Sequence, residues 1–233
     1  MTQARALIVG ASGGMGSSIA LGLARAGYDC ALMGRNEKAL NKVVEQCLEA
    51  DVNAVAIVCD IAETASIEAA VGTSIEQLGG LNVLVNCAGI SIEGKLHEVD
   101  PEDGDRIIDT NLRAHHYLAR YALPEINRNP GGAVIKIGAV NHPYSGVNTY
   151  LAANLGGEGY AEALFEDVRE FGTKVCTIKP GWVNTPLVTT DGIDPALMIQ
   201  PEDISQTVLF LLSMAETACP TEITILPQRS PYV

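Results

Sequence analysis

The chain has 233 residues, of which 47% are hydrophobic and 18% charged, with a formal net charge of −13 and a pI near 4.6. That length and composition fit one α/β domain over residues 1–233 with ample core, and exclude a disordered or low-complexity chain. The acidic balance argues against nucleic acid as a partner, because a phosphate backbone demands a cationic face. The N-terminal MTQARALIVG runs almost directly into a strand without a signal-like apolar region, and no apolar run approaches the length of a membrane span. The six cysteines, Cys30, Cys47, Cys59, Cys87, Cys176 and Cys219, form no C-x-x-C pair. They read as reduced, mostly buried thiols of a cytoplasmic protein without a membrane partner.

Short apolar runs alternate with longer amphipathic ones along the chain. ALIVG (6–10) is the first expected strand. Residues 14–26 then place Met15, Ile19 and Leu23, with Ala20 and Ala24, at helical spacing, and Gly27 ends that helix. The second strand is 29–34, followed by a helix over 36–50 that Asn36 opens as N-cap. A strand over 53–60, a helix over 64–78 and a strand over 82–89 follow. One long helix is expected from about 101 to 128, then a fifth strand at 133–139, a helix over 149–171 and a sixth strand at 174–181. Pro201 sits at the first position of a helix over 201–213, and TEITILP (221–227) is the last strand. Strands apolar on both faces, separated by helices, predict a doubly wound parallel sheet of about seven strands with helices on both faces. Ligands of such sheets bind at the carboxyl ends of the strands.

The residues that follow the strands carry the functional signal. After the first strand comes GASGGMG, with Gly10, Gly14 and Gly16 in the spacing G-x-x-x-G-x-G, and Ser12, Gly13 and Met15 between them. Glycines there permit a tight turn, a close approach of phosphate to the backbone, and a helix N-terminus whose free N–H groups face the anion. The context, a strand before and a helix after, supports a dinucleotide site. After the second strand, the place where an acidic residue would bond a ribose 2′-hydroxyl holds Arg35. A guanidinium matches a 2′-phosphate, which favours NADP(H) over NAD(H). Asp60, followed by Ile61, ends the third strand. It suits an adenine amino group, or equally the N-cap of the next helix.

With these motifs in order, the chain resembles the short-chain dehydrogenase/reductase superfamily over nearly its whole length, and the resemblance implies a single-domain Rossmann fold. NCAG (Asn86, Ala88 and Gly89 with Cys87 between) stands where that family has N-N-A-G. Asn111 in DTNLRAHH matches its asparagine. YLAAN (150–154) occupies its Tyr-x-x-x-Lys, and PGWVNTP (Pro180, Gly181, Val183, Thr185) its nicotinamide-side loop. The resemblance implies an oxidoreductase acting on a small-molecule carbonyl or secondary alcohol, with Tyr150 as proton donor, Asn111 supporting it, and Tyr150 and Asn154 also near the cofactor. It implies a homodimer or homotetramer.

Two places depart from the pattern. Gly138 and Ala139 stand where the family has serines, and Asn154 replaces its lysine. A free tyrosine titrates near ~10, and a neutral amide supplies no charge to lower it. This weakened set leaves three readings open: an NADP(H)-linked oxidoreductase with Tyr150 as proton donor and reduced efficiency, an NADP(H)-binding sensor, regulator or partner subunit with little turnover, and non-redox chemistry in the same pocket, which no sequence feature favours. Lys136, Lys179, His142, Tyr144 and Ser145 are the nearby candidates for substitution. Lys136 reads as one strand-residue off the required face, and it and Lys179 as strand-end lysines with solvated tips. Tyr144 to Asn148 offers a second, poorer Tyr-x-x-x-Asn register. His115 and His116 are adjacent on a helix and face apart, with His97 upstream, so no metal site is expected. The segment 187–200 and the stretch 92–100 would form the walls of the substrate side.

Overall fold

The computed structural model describes residues 3–129, 131–186, 188 and 192–232. Seven strands form one parallel sheet: β1 (Arg5–Val9), β2 (Asp29–Gly34), β3 (Ala54–Val58), β4 (Val83–Asn86), β5 (Ala133–Ile137), β6 (Lys174–Pro180) and β7 (Glu222–Ile225). Their order is β3-β2-β1-β4-β5-β6-β7. The order turns around at β1 and β4, the switch point where a crevice opens at the strand ends.

One face carries α1 (Gly14–Arg25), α2 (Glu37–Leu48) and α7 (Pro201–Ser213), packed on Ile8, Leu32, Val85, Ile135 and Ile178. The other carries α3 (Thr64–Leu78), α5 (Ala114–Ile126) and α6 (Asn148–Val168), packed on Leu7, Met33, Leu84, Val134 and Val175. Alternate residues of each strand thus feed opposite cores, which is why the strands read as continuous apolar runs. The caps follow the sequence signals. Asn36 accepts the Ala39 N–H at 3.0 Å, Gly27 leaves α1 at φ 86°, and Pro201 opens α7 above a Gln200–Asp203 capping box.

The expected helix over 101–128 is interrupted. It consists of α4 (Pro101–Ile108), a π-helical turn at Asp109–Arg113, and α5. The wider turn puts one extra residue into the ladder, and such insertions concentrate at functional sites. Asn111 sits inside it. The strands β3, β4, β5 and β7 are each shorter than expected, so Cys87–Gly89 and Gly138–Ala139 belong to the loops that leave the sheet. Among the described residues, no helix is long and apolar enough to cross a membrane.

Candidate active site

Gly10 leaves β1 at φ 79°, a conformation that strains any residue with a Cβ. A Cβ there would lie 2.9 Å from the Ala88 nitrogen, so the first and fourth strand ends touch through backbone alone. A Cβ on Gly16 would come within 2.2 Å of the Gly10 carbonyl oxygen, and one on Gly14 within 2.9 Å of Thr185 Cγ2. The PGWVNTP loop therefore closes on the glycine turn through Thr185. The N-cap of α1 is Gly13, which has no side chain to cap the helix, and no acidic residue lies in its first turn. Its leading N–H groups and the positive end of its dipole are left for an external anion.

These residues border a cleft of about 370 Å³ at the switch point. It gathers Gly10, Ser12, Gly13, Gly14, Met15 and Gly16 with Arg35, Asp60, Ile61, Ala88, Gly89 and Thr185. Arg35 Nη1 lies 3.8 Å from Asp60 Oδ2, with the arginine side chain 61% exposed. That pair is loose enough for the guanidinium to accept a second anion. Asp60 accepts the Ala62 N–H at 3.1 Å, while the N-cap of α3 is Glu63, so Asp60 does not cap that helix. A glycine cradle that any Cβ would fill, an uncapped helix start and an exposed guanidinium only loosely paired with Asp60 together fit a dinucleotide carrying an extra phosphate. Arg106 and Thr110, one turn apart, also face this cleft. Sequence reading passed over them because Arg106 sits in the polar run PEDGDR, which reads as a solvated surface. The i,i+4 spacing was the available signal.

The remaining expected site residues lie outside that cleft's lining. Asn86 is buried, and its Oδ1 accepts the Ala88 N–H at 3.1 Å, fixing the turn after β4. Gly181 donates its N–H to Ile225 at 2.8 Å, Pro180 accepts from Val140 at 3.0 Å, and Val183 bridges Ile199, so these three shape the loop after β6. Residues 187 and 189–191 of the expected substrate wall lie outside the described residues.

Tyr150 lies in the first turn of α6, half-buried. Burial raises its phenol pKa, and the neighbouring Asn154 amide acts in the opposite direction. Asn154 is itself buried, yet its Nδ2 has no hydrogen-bond partner among the described residues. Asn111 clamps the β4 loop, donating from Nδ2 to Ile90 O and accepting the Ile90 N–H at Oδ1, each at 2.9 Å.

The candidates for substitution separate clearly. Ser145 and His142 are exposed. Tyr144, in the loop before α6, donates its hydroxyl to Glu93 Oε1 at 2.8 Å. Lys179 is held by Glu222 at 2.7 Å and Glu158 at 3.6 Å. Lys136 is not the strand-end lysine it resembles in sequence. It is 2% exposed, shares the Val134 face toward α5 and α6, and donates from Nζ to the Asn111 carbonyl at 2.8 Å. Burial pushes its ammonium down to about 8, against an opposing pull from Glu158. His115, fully buried beside it, is driven down to about 3 by burial and then by the Lys136 charge. Among the described residues, no cluster of three His, Cys, Asp or Glu side chains could hold a metal ion.

The chain is similar to known proteins over most of its length. The chain is 33% identical over 226 residues to a 3-oxoacyl-(acyl-carrier-protein) reductase of Staphylococcus aureus, covering 89% of this chain and 90% of the relative. Its fold matches a short chain dehydrogenase of Burkholderia cenocepacia in complex with NADP at a TM-score of 0.91, with 27% identity over 97% of both chains. It also matches an actinorhodin polyketide ketoreductase with NADPH at a TM-score of 0.89, with 25% identity over 97% of both. The family model for short chain dehydrogenases matches residues 4–195, and with the sheet order and glycine turn described above it shows that the chain belongs to the short-chain dehydrogenase family.

Proposed function

We propose that the protein is an NADP(H)-dependent reductase of carbonyls, or dehydrogenase of the corresponding secondary alcohols, with Tyr150 as the proton donor. The carrying observation is the placement of Arg35 beside the uncapped start of α1 in one cleft. The N–H groups of Gly14, Met15 and Gly16 hold the pyrophosphate, and Arg35 pairs with the 2′-phosphate. Asp60 and Ile61 border the adenine, and Asn86, Ala88 and Gly89 hold the turn beneath the ribose. Pro180, Gly181, Val183 and Thr185 close the nicotinamide side, where Asn154 also stands. When bound, the cofactor supplies the hydride. Tyr150 holds the proton at Oη, and burial, which raises its pKa, keeps the phenol in the protonated form that the reductive direction requires. Relatives named as a 3-oxoacyl reductase and a ketoreductase favour a carbonyl substrate.

A second reading is favoured by one observation. Neither Gly138 nor Ala139 offers a side-chain donor to a substrate oxygen, and Asn154 brings no charge. On that reading the chain binds NADP(H) and turns over little, as a sensor, regulator or partner subunit. Six free thiols suit a reducing compartment, and we place the protein in the cytoplasm. Half-exposed Leu155 on α6 suits pairing of helices between copies in a homodimer or homotetramer. Purified protein titrated with NADPH and NADH, then assayed for NADPH oxidation against a panel of ketones and aldehydes, separates the readings. Tight NADPH binding with turnover supports the reductase, tight binding without turnover the second reading, and no binding rejects both.

A further inference from the structure

β5 reads AVIKI, and its one polar residue is buried as deeply as the rest. Lys136 stands in register with Asn86 of β4 and Thr177 of β6, so three polar side chains form a row across the sheet under α5 and α6. Around that row, His115 Nε2, Asn154 Nδ2 and Thr177 Oγ1 are buried with no partner among the described residues. Space for the lysine is made by Gly157, where a Cβ would come within 2.7 Å of Lys136 Cε. Gly157 lies one turn beyond Asn154 on the sheet-facing side of α6, and Asn154 lies one turn beyond Tyr150. The ammonium is thus brought to the π-helical turn of Asn111 and to the underside of the tyrosine's helix. A buried lysine with a single acceptor destabilises a fold unless something else retains it.

We infer that Lys136 is the cation of the Tyr150 site: held by the Asn111 carbonyl beneath the Asn154–Gly157 turn, its ammonium stabilises the phenolate that Tyr150 becomes on giving up its proton. This rests on Tyr150 being the proton donor. In the reductive step the proton leaves Tyr150 Oη and forms the O–H bond of the product. The charge stays on the phenolate until a solvent proton restores it, and Lys136 keeps its own proton throughout. Lys136 is therefore a positioning residue, acting across the Asn154 amide. The charged or titratable groups on the helices packed against it are His115 on α5 and, on α6, Glu158 and Tyr150 one turn before Asn154, while its neighbours on β4 and β6 are the neutral Asn86 and Thr177. Glu158 is already engaged by Asn141 at 2.6 Å and by Lys179, while burial holds His115 neutral at working pH and brings Lys136 down to about 8.

The test uses protein labelled with [13Cζ]tyrosine and saturated with NADP+, with the Tyr150 resonance assigned by its loss in Tyr150→Phe. In the natural protein the Tyr150 signal shows a step near pH 8, where Lys136 titrates. Lys136→Met removes the step, and Gly157→Ala, which crowds Lys136 Cε, displaces or weakens it. In Lys136→Met/Asn154→Lys, Tyr150 ionises at least about one unit lower than in Lys136→Met alone. For carbonyl reduction, kcat falls about tenfold or more in Lys136→Met with KM little changed, and the double variant recovers it. A Tyr150 signal that passes pH 8 unchanged in the natural protein, or a step that survives Lys136→Met, overturns the inference. Failure of the reductase reading shows itself separately, as absence of NADPH oxidation with the coupled titration intact.

Discussion

Replacing Arg35 with alanine isolates the contribution of one guanidinium to cofactor choice. The side chain is 61% exposed and, among the described residues, its one ion pair is with Asp60 at 3.8 Å, so its removal costs the fold little: exposed pairs at that distance contribute about 0–1 kcal/mol. Toward a 2′-phosphate it makes a charge-assisted contact worth about 1.5–3 kcal/mol, and its exposure puts the value in the lower half of that range. At about 1.4 kcal/mol per factor of ten, the Kd for NADPH rises about 10–30-fold. NADH has no 2′-phosphate, and its Kd moves by less than about twofold on the same reasoning. Fluorescence titration of both nucleotides measures the two constants, and raising the salt concentration should shrink the NADPH effect as the charges are screened. Equal losses for NADPH and NADH, or no loss for either, would refute the assignment of Arg35.

Three further outcomes follow from named contacts. Gly16→Ala puts a methyl 2.2 Å from the Gly10 carbonyl, which forces the backbone of the turn apart; overpacking of that kind costs about 1–3 kcal/mol, and NADPH affinity should fall more than about tenfold, read by the same titration. His115 has its pKa lowered from 6.5 to about 3, so the unfolded chain binds its proton first as pH falls, and stability held above about 6.5 is lost toward 3 at about 1.4 kcal/mol per unit. Urea midpoints at pH 7 and 5 should show that loss and a smaller one in His115→Gln; equal losses would contradict it. Lys136 is lowered from 10.5 to about 8, so its charged form opposes folding at pH 7 by up to about 3 kcal/mol, offset by the Asn111 carbonyl it satisfies. The thermal midpoint of Lys136→Met should be unchanged or higher by calorimetry, whereas a drop of several degrees would mean the lysine is kept for stability.

Most of the architecture was legible because its signals are local. Strands apolar on both faces, Asn36 and Pro201 at helix starts and the GASGGMG turn all act within a few residues of themselves. The π-helical turn was not legible: DTNLR carries no breaker, and the insertion is visible only once the Asn111 side chain is seen tied to Ile90 and its carbonyl to Lys136. A fifth strand running to Ala139 puts Lys136 on the wrong face, whereas the strand ends at Ile137 and alternates Val134 and Lys136 toward α5 and α6. Two clues were available: a lone lysine in AVIKI, and the glycine pair Gly156–Gly157 in a helix interior, where glycine is unfavourable without a packing reason. Their connection spans 21 residues, and a contact between a strand and the next helix is set by the crossover, which no local pattern encodes.

The measurement that bears most directly on the proposed function compares the natural protein with Tyr150→Phe, which removes one hydroxyl and little volume. Both are assayed for NADPH oxidation over the same carbonyl panel and titrated with NADPH. Turnover of at least one carbonyl is expected, with a loss of about 10²-fold or more in kcat/KM in the phenylalanine variant and a far smaller change in the NADPH Kd. Turnover that persists undiminished without the Tyr150 hydroxyl would contradict the proposed function.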